Sequence, residues 1–162
     1  MGAKVSLNFR TRVIEIADKL GTDPNWIMAS MAFESGEVSL PAKNPVSSAT
    51  GLIQFMDKTT KALGTTTAEL SQMSAVEQLN YVEKYFDPYV GKLKSLSDVY
   101  KAILWPSAVG KAEAFVLFRQ PNQNFTVNKG LDTNKDGQVT KGEVASRVAQ
   151  KLAKGRSVDL RA

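Results

Sequence analysis

Glu34 is the first residue whose type and position could do chemistry. It ends a predicted helix that carries no charged residue between Trp26 and Phe33, and a helix that is apolar nearly all round is typical of the middle of a domain. Burial and the negative end of the helix dipole both disfavour the anion, so we predict that the pKa of Glu34 is raised. A carboxylic acid that keeps its proton near neutral pH can act as a general acid. The alternative is that Glu34 reaches solvent, as most glutamates do.

Residues 132–143, DTNKDGQVTKGE, form the second candidate site. They match the whole calcium-loop pattern D-x-[DN]-x-[DN]-G-x5-E, in which Gly137 allows the sharp turn. The oxygen ligands that the pattern assigns are Asp132, Asn134, Asp136, Gln138 through its backbone carbonyl, Thr140 and Glu143. An all-oxygen shell suits a hard cation, so we predict a Ca²⁺ ion with a structural role. The alternative is a loop that turns through Asp, Asn and Gly chemistry without a metal.

The segments on the two sides of this loop differ. Val144, Val148 and Leu152 recur at helical spacing after the loop, which predicts a helix that leaves it. The segment before the loop, NFTVNKGL (124–131), contains glycine and has no helical period. We therefore expect an EF-hand-like loop followed by one helix, without the entering helix of a full EF-hand.

The composition excludes several kinds of site. The chain contains neither cysteine nor histidine, so thiolate chemistry, Ser-His-Asp triads and histidine metal ligands are ruled out. The net charge of +5 favours polyanionic partners. The lysines are scattered rather than arranged in a basic stripe with aromatic residues, so we expect no nucleic-acid partner. No apolar run is long enough to span a membrane, and the N-terminal segment does not read as a signal peptide.

Helical spacing and capping signals predict the elements that position these residues. The predicted helices cover residues 8–20, 24–35, 51–56, 57–64, 75–86 and 98–105. The alternation that is typical of strands is scarce, so we predict an all-α fold. Residues 119–130 are polar and lack periodicity, which places a boundary there. We therefore expect one domain over residues 1–120, and an appended loop and helix over residues 121–162 that packs on it.

Four segments together resemble a known family. They are FESG (33–36), SSATGLIQFM (47–56), EQLNYVEKYF (77–86) and VYKAILW (99–105). Their succession resembles the soluble lytic transglycosylase and goose-type lysozyme superfamily, and within it most closely the phage-type lytic enzymes. The resemblance implies a lysozyme-like α-helical fold with a sugar-binding groove and Glu34 as its single catalytic acid. One departure is Tyr-Lys-Ala-Ile at residues 100–103, where the family usually has Tyr-Asn-Ala-Gly.

The resemblance also implies which residues bind substrate. The family's Gly-Leu-x-Gln motif maps onto Gly51, Leu52 and Gln54, and the tyrosine that faces the catalytic site maps onto Tyr100. Polar donors and apolar ring faces around this motif are the groups that hold a polymeric glycan. The full predicted set is Ser35, Ser47, Ser48, Gly51, Leu52, Gln54, Phe55, Met56 and Tyr100.

The activity that the resemblance implies is cleavage of the MurNAc-GlcNAc β-1,4 bond of peptidoglycan. The sequence places no second carboxylate beside Glu34, although a glycoside hydrolase usually needs two. This favours a lytic transglycosylase, which forms 1,6-anhydroMurNAc with one acid/base. Two alternatives stay open: a goose-type hydrolytic lysozyme, and a non-catalytic calcium-dependent module that binds the cell wall. We expect a monomer that acts on the bacterial wall in the periplasm, delivered by a phage virion or released at lysis.

Overall fold

The computed structural model describes residues 5–36 and 49–155, and this part of the chain is mostly helical. Its α-helices are α1 (Leu7–Leu20), α2 (Pro24–Glu34), α3 (Asp57–Ala62), α4 (Thr67–Gln72), α5 (Ala75–Phe86), α6 (Leu96–Leu104), α7 (Gln123–Asn128) and α8 (Lys141–Gly155). Its strands, β1 (Val116–Arg119) and β2 (Gln138–Thr140), pair antiparallel. Short 3-10 turns cover Asp87–Tyr89, Pro106–Ala108 and Lys129–Leu131. Within the described residues, no helix combines the length and the apolar character that crossing a bilayer requires.

Side-chain caps start the long helices where the sequence predicts them. The Ser6 hydroxyl caps α1, and the Asp23 carboxylate caps α2, in which Pro24 takes the first position. Ser74 and Glu77 form a reciprocal capping box at the start of α5. Such caps satisfy backbone N–H groups that the first turn of a helix leaves unpaired. The structure confirms, to within about two residues, the helices predicted over residues 8–20, 24–35, 57–64, 75–86 and 98–105.

The main hydrophobic core surrounds α2. This helix is apolar on all sides and packs against α1, α6 and α8, and its Ile27 and Met31 are fully buried. The largest side chains that α1 and α5 add to this core are Phe9, Ile16, Leu20, Leu79 and Phe86. Neighbouring helices therefore cover much of α2, and Glu34 is its last residue.

The C-terminal part packs against α2 and α6 through a second, smaller core. Its buried residues include Ala29 of α2, Tyr100 of α6, Phe118 of β1, Val139 of β2 and Val148 of α8. β1 and β2 lie on opposite sides of the boundary that the sequence predicts after residue 120. The residues before and after that boundary therefore share one sheet and one core.

Residues 51–56 do not form the predicted short helix, so that prediction was wrong. Residues 51–54 form turns, and Thr50 pairs with Phe55 in an isolated bridge with N···O distances of 3.1 and 2.8 Å. Gly51 has a φ of 82° and Gln54 a φ of 52°, values outside the right-handed helical region. We call residues 49–56 the groove loop, after the sugar-binding groove that the resemblance implies. A short apolar run such as this one cannot be assigned to a helix by periodicity alone.

Two further expectations need correction. The all-α prediction is confirmed in that the described residues are mostly helical. It missed the two-stranded sheet, because strands of four and three residues are too short to show alternation. The segment before the predicted calcium loop is helical, since α7 and the turn at Lys129–Leu131 lead directly to Asp132. The Asn122 side chain accepts a hydrogen bond from the backbone of Asn124 at 2.7 Å. This cap starts a helix that shows no apolar period.

Candidate active site and calcium loop

Glu34 is the last residue of α2, and its side chain is half-buried. Ser35 ends the helix, and its backbone N–H and its hydroxyl both donate to the carbonyl oxygen of Met31, at 2.9 and 2.7 Å. These two hydrogen bonds fix the chain as it leaves α2. The Ser35 side chain, predicted to bind substrate, is buried and takes part in this helix end.

Tyr100 of α6 contacts the Glu34 carboxyl group. Its hydroxyl hydrogen-bonds to that group, and only 4% of the Tyr100 residue is exposed. The Tyr100 and Phe33 rings meet edge to face with 5.4 Å between their centroids, an arrangement that aromatic pairs prefer. The structure therefore brings together Glu34 and Tyr100, two residues that the sequence assigns to one site.

The environment of Glu34 favours its protonated form. Burial raises the pKa of Glu34 above its ordinary value, and the hydrogen bond from Tyr100 offsets part of that rise. Burial, the nearby Glu34 charge and the shared hydrogen bond all raise the pKa of Tyr100, so the phenol keeps its proton near neutral pH. The direction for Glu34 agrees with the prediction from sequence. The influences on the pKa of Glu34 are thus burial and Tyr100, and neither of them is a second carboxylate.

Tyr85 of α5 is a neighbour of Glu34 that the sequence reasoning missed. Burial, followed by the nearby Tyr89 and Glu34, raises the pKa of Tyr85 to about 12. Its hydroxyl donates to the carbonyl oxygen of Ala102 at 2.7 Å. The Tyr85 ring also meets the Phe55 ring edge to face at 6.2 Å between centroids. Tyr85 lies in the EQLNYVEKYF segment, one of the four that carry the family resemblance. That position could have identified it, but no residue of the segment was assigned to the site.

The groove loop divides the predicted substrate residues into buried and accessible ones. Leu52 and Phe55 are 0% and 2% exposed and belong to the main core, so their side chains offer little surface to a ligand. Gln54 is half-buried, and its side-chain amide donates to the carbonyl oxygen of Gly51 at 3.1 Å. Met56 is 50% exposed. The predicted residues Ser47 and Ser48 lie outside the described residues.

The loop over residues 132–143 turns around its own acidic side chains. The Asp132 carboxylate accepts hydrogen bonds from the backbone N–H groups of Asp136 and Gly137, at 3.2 and 3.0 Å. The Asp136 carboxylate accepts from the backbone of Gln138 at 2.8 Å and from the Asn134 amide at 3.1 Å. Gly137 has a φ of 80°, the left-handed conformation that glycine adopts without strain.

Glu143 closes this loop from the first turn of α8. Its carboxylate accepts hydrogen bonds from the backbone of Thr133 at 3.0 Å and from the backbone and hydroxyl of Thr140 at 2.9 and 2.8 Å. Burial alone would raise the pKa of Glu143, but these bonds and one from the Asn134 backbone lower it overall. Glu143 therefore stays anionic at neutral pH, as a metal ligand must.

The loop fits calcium by the chemistry of its donors. Asp132, Asn134, Asp136, Gln138, Thr140 and Glu143 provide oxygen atoms within one short loop, and the Gly137 turn matches the pattern. Across residues 5–36 and 49–155, no three Asp, Glu, His or Cys side chains converge closely enough to hold a metal ion. The carboxylates turn instead towards the N–H groups of the loop.

A buried ion pair joins this region to α6. The ammonium of Lys141 lies 2.7 Å from the Asp98 carboxylate and 2.7 Å from the carbonyl oxygen of Lys111. The two paired side chains are 2% and 7% exposed. Burial alone would raise the pKa of Asp98, but hydrogen bonds from Lys141, the Gly110 backbone and Ser95 outweigh it and lower that pKa. The start of α8 is thus held to the helix that carries Tyr100.

The fold and the site define a mostly helical protein with a half-buried carboxyl group that hydrogen-bonds to a tyrosine. A separate loop provides oxygen donors. Comparison with protein-family models gives no match, and no curated protein matches the chain.

Proposed function

We propose that this chain is a peptidoglycan-degrading enzyme with a lysozyme-like fold, which cleaves the MurNAc-GlcNAc β-1,4 bond with Glu34 as its acid/base. The observation that carries the proposal is the half-buried carboxyl group of Glu34, with its raised pKa and its hydrogen bond to Tyr100. A general acid works best when its pKa approaches the working pH, and the leaving glycosidic oxygen needs a proton. The four segments that resemble lytic transglycosylases support this choice of substrate.

In the proposed mechanism, Glu34 donates its proton to the glycosidic oxygen as the bond from that oxygen to C1 of MurNAc breaks. The Tyr100 hydroxyl then stabilises the carboxylate, since its hydrogen bond lowers the pKa of Glu34. The carboxylate next accepts the proton of the C6 hydroxyl of MurNAc, whose oxygen bonds to C1 and closes the 1,6-anhydro ring. No water enters the products, and Glu34 ends protonated again. One carboxyl group is therefore sufficient for both proton transfers.

The groove loop is the proposed binding surface for the glycan. Gln54 offers an amide to sugar hydroxyls, and the exposed Met56 offers an apolar surface to a sugar ring. Leu52 and Phe55 support the loop from the core. The net charge of +5 favours residence on an anionic cell wall. A monomer that reaches the wall from a phage virion, or on release at lysis, fits this activity.

The 132–143 loop, with α7 and α8 on its two sides, is proposed to be an EF-hand-like site for one structural calcium ion. Its oxygen donors are Asp132, Asn134, Asp136, Gln138, Thr140 and Glu143. When bound, the ion would neutralise the carboxylates of the loop and hold the first turn of α8 in place. The proposed role is structural, since the loop is held to α6 through the neighbouring Lys141.

The test is mass spectrometry of the muropeptides released from purified sacculi by the wild-type protein and by Glu34→Gln. This change removes the proton donor but keeps the size of the side chain. We expect the wild type to release 1,6-anhydro products, about one water lighter than reducing-end muropeptides, and Glu34→Gln to release none. Glu15→Gln, which changes an exposed carboxylate of α1, is the matched control and should retain wild-type activity.

Other outcomes would revise the proposal in specific ways. Release of reducing-end products that depends on Glu34 would make the enzyme a hydrolytic lysozyme. If the wild type cleaves nothing, with and without added calcium, the proposed enzymatic activity is refuted. Binding to the wall without cleavage would establish a binding module. Thermal unfolding of Glu34→Gln should show that the variant is folded.

A further inference from the structure

Gln78 of α5 is a buried polar residue that the proposed mechanism does not use. It is 0% exposed. The next residue, Leu79, belongs to the main hydrophobic core. A buried side-chain amide is costly unless its donors and acceptor are hydrogen-bonded. The hydrogen bonds that it makes therefore indicate why the helix carries an amide at this position.

The Gln78 amide connects three segments of the chain. Its oxygen accepts a hydrogen bond from the backbone N–H of Leu52 in the groove loop, at 3.1 Å. Its nitrogen donates to the carbonyl oxygens of Leu70 and Met73 at the end of α4, at 2.9 and 3.4 Å. The oxygen therefore holds the groove loop, and the nitrogen holds the end of α4.

Gly51 allows the loop backbone to approach this amide closely. A Cβ atom at Gly51 would lie 2.5 Å from the Gln78 side-chain oxygen and 3.2 Å from its carbonyl carbon. The Gly51 φ of 82° is also in the left-handed region that favours glycine. The loop therefore rests directly on Gln78, in a position that a larger residue could not take.

The same loop leads to the residues of the candidate site. The carbonyl oxygen of Gly51 accepts hydrogen bonds from both the backbone and the side chain of Gln54, at 3.2 and 3.1 Å. At the other end of the loop, the Phe55 ring contacts Tyr85, which lies near Glu34. The position of Gln54 therefore depends on the backbone that Gln78 holds.

We propose that Gln78 is a positioning residue, which fixes the groove loop and through it holds Gln54 in the orientation that binds the glycan. This inference rests on the proposed function, in which the loop contacts the sugar chain. Gln78 itself touches no substrate. Its contribution is to hold the binding surface in one geometry before the ligand arrives.

The experiment compares variants in a Glu34→Gln background, so that binding is measured without cleavage. The probe is a soluble GlcNAc-MurNAc oligosaccharide, titrated by calorimetry, and amide hydrogen exchange at Leu52 is followed by NMR. Gln78→Met removes all three hydrogen bonds at similar volume. We expect it to weaken binding between about tenfold and 100-fold and to accelerate exchange at Leu52. Val82→Ala, a core truncation on the same helix, should lower stability yet leave binding within about twofold of the parent.

Gln78→Glu supplies a conservative rescue. When its carboxyl group is protonated, the carbonyl oxygen can accept from Leu52 and the hydroxyl can donate to Leu70, which restores the two shorter of the three hydrogen bonds. Binding by this variant should therefore approach the parent's at about pH 4.5 and weaken at about pH 8, where a buried carboxyl group begins to ionise. A loss of binding from general instability would not recover in acid.

The two failures are distinguishable. If the Glu34→Gln parent does not bind the oligosaccharide, the proposed function fails, and the role of Gln78 fails with it. If the parent binds, and Gln78→Met binds equally well with unchanged exchange at Leu52, the positioning role alone is overturned. Equal weakening in Gln78→Met and Val82→Ala would also overturn it, since the effect would then follow core stability.

Discussion

Replacement of Lys141 by methionine should strongly destabilise the protein, because it leaves the Asp98 carboxylate buried without its cation. The paired side chains are 2% and 7% exposed, and the same ammonium also donates to the carbonyl oxygen of Lys111. Removing one partner of a buried ion pair costs about 3–5 kcal/mol. For a chain of this length, each kcal/mol lowers the unfolding temperature by about 2–4 °C. We therefore expect Lys141→Met to unfold roughly 6–20 °C below the wild type.

The assay is thermal and urea unfolding followed by circular dichroism, in calcium-free buffer. Lys19→Met is the matched control, because Lys19 lies at the surface: it pairs with Asp87 at a similar distance of 2.8 Å and with Glu83 at 2.9 Å, and the three side chains are 50%, 54% and 20% exposed. Solvent screens such a pair, so this control should change the unfolding temperature little. The double variant Lys141→Met/Asp98→Leu should recover much of the loss, since it removes the stranded charge. The reasoning is refuted if Lys141→Met and Lys19→Met unfold at the same temperature.

Three further changes test other parts of the structure. Lys101 is fully buried, its ammonium has no hydrogen-bond partner within the described residues, and burial lowers its pKa to about 7. The unfolded chain keeps the Lys101 proton up to a higher pH than the folded protein does. Above about pH 7 the free energy of unfolding of the wild type, relative to that of Lys101→Met, should therefore rise by up to about 1.4 kcal/mol per pH unit. Urea unfolding that gives the same difference between the two proteins at about pH 7 and 9 would contradict this. Gly51→Ala should destabilise more than Gly21→Ala: both glycines have positive φ, but only at Gly51 would the added Cβ meet another side chain, that of Gln78. Equal unfolding temperatures would exclude the steric clash. Calcium at about 100 times its dissociation constant should stabilise the wild type by about 2.7 kcal/mol, measured as a thermal shift, and Glu143→Gln should lose most of that gain; an undiminished shift in the variant would refute the assigned ligand.

Local signals explain why much of the helical framework could be predicted. Ser74 and Glu77 cap α5, and Asp23 with Pro24 starts α2, so each helix start is encoded within a few residues. The raised pKa of Glu34 was also predictable, because the apolar character of α2 is itself a local property of the sequence. These features required no knowledge of what packs against them.

The contacts that complete the site are not local, and the sequence reasoning missed them for that reason. Gln78 is an ordinary polar residue on a predicted helix and Lys141 one within the predicted calcium loop, and nothing beside them in the chain indicates that both are buried. Their partners, Leu52 and Asp98, come from distant segments. Residues 51–56 of the groove loop were predicted as a helix from their apolar pattern. Their turns depend on left-handed conformations at Gly51 and Gln54, which such a pattern does not encode. Tyr100 was assigned to the site through the family resemblance alone.

The C-terminal part of the chain contributes to the environment of the proposed acid, although the sequence presents it as an appendage. α8 packs against α2, and Val144 and Val148 of α8 share a core with Ala29 of α2 and with Tyr100. This packing helps to exclude water from the helix that ends in Glu34 and from the tyrosine that bonds to it. Since burial is the largest influence on the pKa of Glu34, loosening α8 would let water approach the carboxyl group and lower that pKa. The 132–143 loop and the Lys141 ion pair, which hold the start of α8 through Glu143 and Lys141, therefore stabilise the region on which the proposed proton donor depends.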